Sequence, residues 1–533
     1  QFIKAGQLHK TTSGKIQRNK NKQSFLEGTF TTLLTYTCED LLVETSTQQD
    51  APEQISDEQQ CIIDFICLQM NQLLDLPTKE IPLNRPIRSL GLDSVSIMEL
   101  GFKLSQRYQK ELSVELIAKD FNICSLAHHI LTTDTSETLP PVSTDLVENK
   151  FSLSEGQAAL WFEQKMWPQS TALHLCYTLK LPASTNTKAL KKALKHLYSS
   201  HPVLRMQVNS NPHPSFTLLS VESFPLKDST HKTLSQVDVD DVIRVTSETP
   251  LDLETSPPVE FKMLKGATHF YLLIKLHHIA VDLWSMELIL AHIAQYYSSL
   301  LRDDACPDLK EDYTYLSYIN YQKTILSGQQ GLTAKQYWQQ VFKEFASPIN
   351  LPTDFNRVQK AAHQAKQITT IFDAVQSEAI RTLAKRTNAS VYAVTLSTFF
   401  LFLHRYTQQT QLMVGSPVNG RHKKEFKDVV GYFVNLVGIS TNLTPNMTFG
   451  ELLDSTLKTI SEALTYANYP LTKVLENTQR DRSGIHNQLF NVIFAYQTGQ
   501  NNKTSNLRSF ILGQAADPTT IDQFEFELIP AQS

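Results

Sequence analysis

The chain has 533 residues, of which 41% are hydrophobic and 19% are charged, a composition that supports several folded domains with sizeable cores. Its formal net charge of -4 provides no basic surface for nucleic acid, and no apolar run is long enough to span a membrane. The six cysteines are too sparse for a disulfide framework, and no signal-peptide pattern opens the chain. We therefore expect a cytoplasmic protein with no nucleic-acid partner and no membrane span.

The first predicted piece, residues 1–36, is basic and too short to form a core. In residues 10–18 (KTTSGKIQR), Lys15 follows the flexible Gly14, so its ammonium group could reach an anionic intermediate; a basic surface tail explains the same composition. This string resembles the last motif of adenylate-forming enzymes, and residues 24–29 (SFLEGT) resemble the C-terminal end of fatty acyl-AMP ligases. The resemblance implies an inactive C-terminal remnant in which Lys15 matches the adenylation lysine, and an upstream acyl-activating ligase domain that supplies a fatty acyl group.

A polar linker, residues 37–58, leads to a predicted helical block over residues 59–133. Within it, residues 90–94 (LGLDS) place Ser94 at the start of a helix, where backbone N–H groups favour a phosphodiester. A serine at this position is commonly no more than a helix cap. The string resembles the attachment motif of carrier proteins. That resemblance implies an all-α four-helix-bundle carrier domain with 4′-phosphopantetheine attached to Ser94 by a phosphopantetheinyl transferase.

After a second linker, residues 134–150, strand-like and helix-like runs alternate to the end of the chain and predict an α/β domain over residues 151–533. Its most informative string is residues 277–285 (HHIAVDLWS), which lies between an apolar strand-like run and a helix-like run. A histidine fixed at such a break can accept a proton near neutral pH. A buried core histidine remains an alternative, as does a metal site through His277, His278 and Asp282, although no further ligand cluster supports a metal.

Further strings in this domain resemble, in the correct order, the motifs of nonribosomal peptide synthetase condensation domains. They are residues 152–162 (SLSEGQAALWF), 201–205 (HPVLR), 277–285, 313–321 with 337–338, 430–435 (VGYFVN) and 480–483 with 489–494. The resemblance implies two chloramphenicol-acetyltransferase-like lobes, with His278 as the catalytic histidine and His277 as a structural one. Asp282 is expected to hold the loop, paired with Arg205.

Three departures from the family pattern concern substrate fit more than catalysis: Leu283 in place of a glycine, residues 467–470 (ANYP), and Gln488. The order of Trp284 and Ser285 after the aspartate resembles that in condensing members rather than epimerising ones. The sequence ends before the family's C-terminal helices, so we expect a truncated condensation domain.

Together these features predict an amide-forming acyltransferase of an assembly line. An acyl thioester held on the carrier would be condensed with the amine of an aminoacyl group on a downstream carrier domain. Two alternatives remain open on sequence alone. One is transfer to a free amine or alcohol, and the other is a non-catalytic scaffold that only docks carriers.

Overall fold

The computed structural model describes sixteen stretches of the chain. They are residues 2–3, 32–34, 56–74, 81–85, 87, 100–101, 103–104, 107–108, 121–132, 149–210, 214–302, 311–345, 347–354, 368–477, 490–497 and 518–529. The chain divides into two compact units, residues 1–56 and 57–533. In the first unit, strands β1 (Phe2–Ile3) and β2 (Thr32–Leu34) form an antiparallel pair. Lys15 and Ser94 both lie outside the described residues.

The predicted carrier region contains helix α1 (Asp57–Leu74) and helix α2 (Ile123–Thr132). Apolar side chains recur on one face of each helix, at the three- and four-residue spacing that a helix needs to bury a stripe. Ile66 and Met70 are fully buried on α1, and residues 100 and 104, both leucines in helical conformation, complete the same core.

The remaining residues form an α/β region with a first group of elements up to residue 301. They are β3 (Phe151–Ser152), α3 (Glu155–Met166), β4 (His174–Leu181), α4 (Thr187–Ser200), β5 (Met206–Asn209), β6 (Ser215–Leu218), β7 (Leu226–Thr233), α5 (Gln236–Glu248), β8 (Val259–Lys265), β9 (Phe270–His277) and α6 (Leu283–Leu301).

A second group of elements follows. They are α7 (Thr314–Ser327), α8 (Gln329–Glu344), α9 (Ala374–Arg386), α10 (Val391–Thr407), β10 (Gln411–Val418), β11 (Asn435–Asn442), α11 (Phe449–Thr465), α12 (Leu471–Asn477), β12 (Thr519–Ile521) and β13 (Phe524–Ile529).

The largest sheet has six strands in the order β12-β13-β4-β9-β8-β7. Its neighbours are antiparallel except for β7 and β8. Strand β9 lies inside the sheet, and seven of its eight residues are buried, which explains its nearly continuous apolar sequence. The strand carries His277 at its C-terminal end, so the sheet fixes the position at which the histidine motif begins.

Two large hydrophobic cores lie in this region, one around the six-stranded sheet and helix α6, the other around the antiparallel pair β10–β11 and helices α8, α10 and α11. The predicted mixed α/β class is therefore confirmed. The connection from β10 to β11 reaches the first core, because Phe426 and Phe433 pack within it. That connection brings residues of the second group of elements to the start of α6.

Candidate active site

The half-buried side chain of His278 lies directly after β9, in the break that leads into α6. Its backbone N–H donates to the carbonyl oxygen of Leu173 at 2.7 Å, and its Nδ1 lies 2.6 Å from the carbonyl oxygen of Val281. Because a carbonyl oxygen can only accept, Nδ1 carries the proton and the neutral ring keeps its lone pair on Nε2. The local backbone thus prepares His278 as a proton acceptor.

His277 is completely buried, and both of its ring nitrogens are hydrogen-bonded. Nδ1 accepts from the backbone N–H of Ile279 at 3.0 Å, and Nε2 lies 3.1 Å from Oε1 of Gln164 on α3. The Gln164 amide nitrogen donates to backbone carbonyls, among them that of Pro168 at 3.2 Å, which turns its oxygen toward His277. His277 therefore ties the end of β9 to α3 in its neutral form.

Burial, together with the neighbouring His174 and His278, lowers the pKa of His277 to about 3. An unfolded histidine has a pKa of about 6.5, so below that pH the unfolded chain binds a proton that the folded chain excludes. We expect the free energy of unfolding of the condensation region to fall as the pH is lowered from 6.5 towards 4. In His277→Gln that slope should be smaller by up to about one proton, or roughly 1.4 kcal/mol per pH unit. Denaturant unfolding at a series of pH values measures the slope.

The matched control for this experiment is His231→Gln, a change at an exposed histidine on β7. His231 is exposed in the folded chain, so the same substitution there exchanges a histidine for glutamine without disturbing a buried site. An identical pH slope in wild type and His277→Gln would contradict the assignment of a buried neutral ring.

Asp282 is buried and caps helix α6, because its Oδ1 accepts the backbone N–H of Ser285 at 2.8 Å. Arg421 binds the same carboxylate with two nitrogens: Nη1 lies 2.7 Å from Oδ2 and Nη2 lies 3.1 Å from Oδ1. The backbone N–H of Phe433 donates to Oδ2 at 3.1 Å. Burial by itself would raise the pKa of Asp282, but the Arg421 charge and these hydrogen bonds outweigh it and hold the pKa below its usual range.

The predicted pairing of Asp282 with Arg205 is wrong. Arg205 donates to Oε2 of Glu311 at 2.6 Å and to the carbonyl oxygen of Leu219 at 3.0 Å. Arg205 lies in a short 3₁₀ turn at the end of α4, whereas the partner of Asp282 lies 139 residues further along the chain than the aspartate itself. No local pattern marks Arg421 as that partner, because the contact depends on how the β10–β11 connection folds back.

Gly420 is the residue that lets this connection turn. Its φ is +73°, and a Cβ built there would lie 1.9 Å from the carbonyl oxygen of Phe433. A residue with a side chain would be strained by the backbone conformation and would clash with backbone. The tight approach places Arg421 beside Asp282.

A cavity of about 220 Å³ lies in the condensation region. Its walls come from both groups of elements, including α3, α7, the β10–β11 connection and the segment before α12. Among its lining residues are Gly156, Leu160, Gln322, Tyr432, Asn435 and Asn468. The ring of Tyr432 also meets the ring of His278 edge to face, with centroids 5.3 Å apart, so Tyr432 borders both the cavity and the candidate base.

Two comparisons with known proteins agree with this geometry. The family model described as "Condensation domain" matches residues 147–529. The chain belongs to the condensation-domain family. The model described as "Phosphopantetheine attachment site" matches residues 64–130, so the helical region before the condensation domain is a carrier that holds 4′-phosphopantetheine covalently on a serine. Such a carrier implies a phosphopantetheinyl transferase as a partner.

The relatives include nonribosomal peptide synthetases, such as the gramicidin synthases, and a polyketide synthase of Bacillus subtilis. A linear gramicidin synthase of Brevibacillus parabrevis is 27% identical over 377 residues, which are 69% of this chain and 5% of that protein. A mutant starter condensation domain of rhizomide synthetase in complex with C8-CoA has a TM-score of 0.55 at 16% identity, covering 72% of this chain and 83% of that one. The X-domain from teicoplanin biosynthesis has a TM-score of 0.57 at 18% identity, covering 64% and 75%.

The chain is therefore a carrier and condensation segment of a nonribosomal peptide synthetase, and its condensation domain is an acyltransferase-type enzyme domain. It spans only 5% to 8% of the length of the gramicidin synthases that it matches. In the described part of the chain, no helix combines the length and the apolar character needed to cross a membrane.

The carrier core meets the condensation domain next to the histidine motif. Trp284, the second residue of α6, packs against the hydrophobic cluster of the carrier, and its indole N–H donates to the carbonyl oxygen of Lys427 at 2.8 Å. Trp284 thus connects three parts: the carrier, the helix that Asp282 caps, and the β10–β11 connection.

The donor set of the condensation domain does not favour the metal alternative. Both ring nitrogens of His277 and both carboxylate oxygens of Asp282 are engaged in hydrogen bonds. Nδ1 of His278 is engaged as well. Within the described ranges no group of three or more histidine, cysteine, aspartate or glutamate side chains could hold a metal ion.

Proposed function

We propose that the condensation domain joins a fatty acyl group held by this chain's carrier to the amine of an aminoacyl group on a downstream carrier. The observation that carries the proposal is the hydrogen bond from His278 Nδ1 to the Val281 carbonyl oxygen. It fixes the tautomer that leaves Nε2 as a base, in a ring that is only half buried and packs against Tyr432, a residue that lines a cavity.

The reaction places one demand on the protein, which is to take a proton from the attacking amine. When bound, 4′-phosphopantetheine supplies a thiol that holds the acyl group as a thioester. In amide formation a C–N bond forms at the thioester carbonyl carbon, the C–S bond breaks, and the nitrogen loses one proton. His278 Nε2 accepts that proton and returns it to the departing sulfur. His277 and Asp282 hold the loop around His278 and act as positioning residues.

The remaining assignments in the proposal come from sequence motifs. We propose Ser94 as the phosphopantetheine attachment site, because it lies in the carrier-like string of residues 90–94. The fatty nature of the acyl group and the upstream ligase rest on residues 10–18 and 24–29, which resemble the end of a fatty acyl-AMP ligase. The proposed divisions remain 1–36, 37–58, 59–133, 134–150 and 151–533, in a cytoplasmic protein.

The test uses the whole chain and an acceptor carrier. A phosphopantetheinyl transferase would load the chain from an acyl-coenzyme A, a separate carrier bearing an aminoacyl group would be added, and intact-protein mass spectrometry would follow the acyl group. We expect the acyl group to appear on the acceptor carrier as an amide. Ser94→Ala should abolish loading, while Ser96→Ala, a matched change two residues away, should load as the wild type does.

Each of the other outcomes of this test would favour a different alternative. Transfer to free amines without an acceptor carrier would replace the proposal with untethered acyl transfer. Complete loading without transfer, over a panel of aminoacyl groups, would leave only a carrier with a docking domain. Loading that persists in Ser94→Ala would move the attachment site.

A further inference from the structure

Tyr432 lies between the candidate base and the cavity. Its ring is a wall of the 220 Å³ cavity, and it stands nearly perpendicular to the ring of His278, at 89° and with centroids 5.3 Å apart. The ring therefore borders both the cavity and the candidate base.

The backbone around Tyr432 is held on both sides. The Ser285 hydroxyl accepts the N–H of Gly431 at 3.0 Å and donates to its carbonyl oxygen at 2.7 Å. The carbonyl oxygen of Tyr432 accepts the Tyr315 hydroxyl at 2.8 Å, and the N–H of Phe433 donates to Asp282 at 3.1 Å. Because three consecutive residues are fixed in this way, the ring of Tyr432 starts from a rigid anchor.

Helix α3 confines the ring from the other side. A Cβ built on Gly156 would lie 2.6 Å from Cε1 of Tyr432, a distance that real side chains do not tolerate. Gly156 is the second residue of α3, in the first turn of the helix. The glycine is thus explained by the space that the tyrosine ring needs.

The cavity suits an apolar occupant more than its polar lining residues suggest. Asn435 donates from Nδ2 to the carbonyl oxygens of Ala467 and Tyr469, and its Oδ1 accepts the N–H of Leu471. In Gln322, Oε1 likewise accepts the N–H of residue 155 and Nε2 donates to the hydroxyl of residue 318. These two amides are satisfied within the protein, whereas the buried Oγ1 of Thr472, another lining residue, has no hydrogen-bond partner among the described residues. An occupant is therefore selected by size and shape together with that polar group.

We propose that Tyr432 is a size gate that determines how long or bulky an apolar tail a thioester-bound acyl group can extend from His278 into the cavity. The proposal rests on the proposed condensation activity and adds the residue that sets its substrate range. The wild-type ring limits the length of the tail that can enter the cavity, and a smaller residue at this position admits longer tails. The tail belongs either to the acyl donor or to the side chain of the aminoacyl acceptor, and the two arms of the test distinguish them.

The test compares rates of transfer across two series. The donor series is butanoyl, octanoyl and dodecanoyl on the chain's own carrier, and the acceptor series is alanyl, leucyl and phenylalanyl on a separate carrier. In Tyr432→Ala the preference for the largest over the smallest member of one series should rise by at least about tenfold. Tyr432→Phe keeps the ring and should keep the wild-type preference. Tyr406→Ala, on the exposed side of α10, is the matched control and should not change it.

Gly156→Ala provides a second, independent variant. Its added methyl group should displace the ring and shift the same preference ratio, whereas in the Tyr432→Ala background it meets no ring and should have no further effect. This non-additivity is specific to a contact between the two residues. A ratio that is unchanged in Tyr432→Ala for both series, or effects of the two changes that simply add, would overturn the gate.

A binding measurement tests the gate independently of the reaction. Titration calorimetry with butanoyl- and dodecanoyl-pantetheine measures whether Tyr432→Ala gains affinity for the longer thioester by a similar factor. A gain in affinity without transfer in any variant would support the gate and reject the condensation activity. Equal affinities of wild type and variant, alongside normal transfer, would exclude the acyl donor as the source of the tail; an unchanged preference in the acceptor series as well would reject the gate and leave the activity standing.

Discussion

Replacement of His278 by alanine is expected to lower the rate of acyl transfer by about two to four orders of magnitude, the usual worth of a positioned general base. Loading of the carrier should be unchanged, because loading uses another site. Single-turnover transfer from the loaded chain, followed by mass spectrometry, measures the transfer step directly. His231→Ala, at the exposed histidine of β7, is the matched control and should transfer at the wild-type rate.

A second variant distinguishes the role of His278 as a proton acceptor from its role in anchoring the loop. The side-chain amide of His278→Asn can still donate a hydrogen bond to the Val281 carbonyl oxygen but has no group equivalent to Nε2. If His278 acts as the base, His278→Asn should be as slow as His278→Ala, and added imidazole should restore part of the rate in the alanine variant. Wild-type transfer by His278→Asn would show instead that anchoring alone matters.

Replacement of Arg421 by methionine is expected to lower the free energy of unfolding of the condensation region by about 3–5 kcal/mol, because it leaves the buried Asp282 carboxylate without its partner. Arg421 is only 1% exposed and its guanidinium also lies 4.2 Å from the ring centroid of Phe433. Denaturant unfolding measures the loss. The matched control is Arg302→Met, which breaks the ion pair between Arg302 and Asp522. The side chains of these two residues are 41% and 47% exposed, so the change should lower the free energy of unfolding by less than about 1 kcal/mol.

The same pair predicts a direction for the pH dependence. Since the folded state holds the pKa of Asp282 below its usual range, the stabilisation is present at neutral pH and is lost as the pH falls below the unfolded pKa of about 4. Arg421→Met should therefore lose less stability than the wild type on acidification. Equal unfolding free energies for wild type and Arg421→Met at pH 7 would contradict the assignment of a buried, bidentate pair.

The parts of the site that are local in sequence could be predicted from it. The change from an apolar run to a helical one after residue 276 indicates a strand, a break and a helix, and the structure has β9 and α6 there. The spacing of apolar residues likewise indicates the helices of the carrier core. In both cases the pattern depends only on residues that are close together in the sequence.

The parts that depend on distant contacts could not be predicted. Asp282 needed a cationic partner, and Arg205 stood in a family-like string, but the ion pair is made by Arg421, which nothing marks locally. Gln164 was missed for the same reason, and so was the contact of Tyr432, although that residue lies in the family-like string 430–435: each touches a histidine of the motif across a gap of more than 100 residues. One sequence carries no record of which residues meet across such distances.

The position of β13 has a consequence for how the protein is made. This strand pairs with β4, and its residue Glu527 meets Lys180 across 347 residues of chain. At about 5–20 residues per second, the ribosome needs roughly 10–50 s to proceed from the end of β9 to β13. During that interval one edge of β4 lacks its neighbour and offers unpaired backbone groups to other chains. We expect nascent chains stalled before β12 to associate with one another or with chaperones, and ribosome-bound chains that extend past β13 to do so far less.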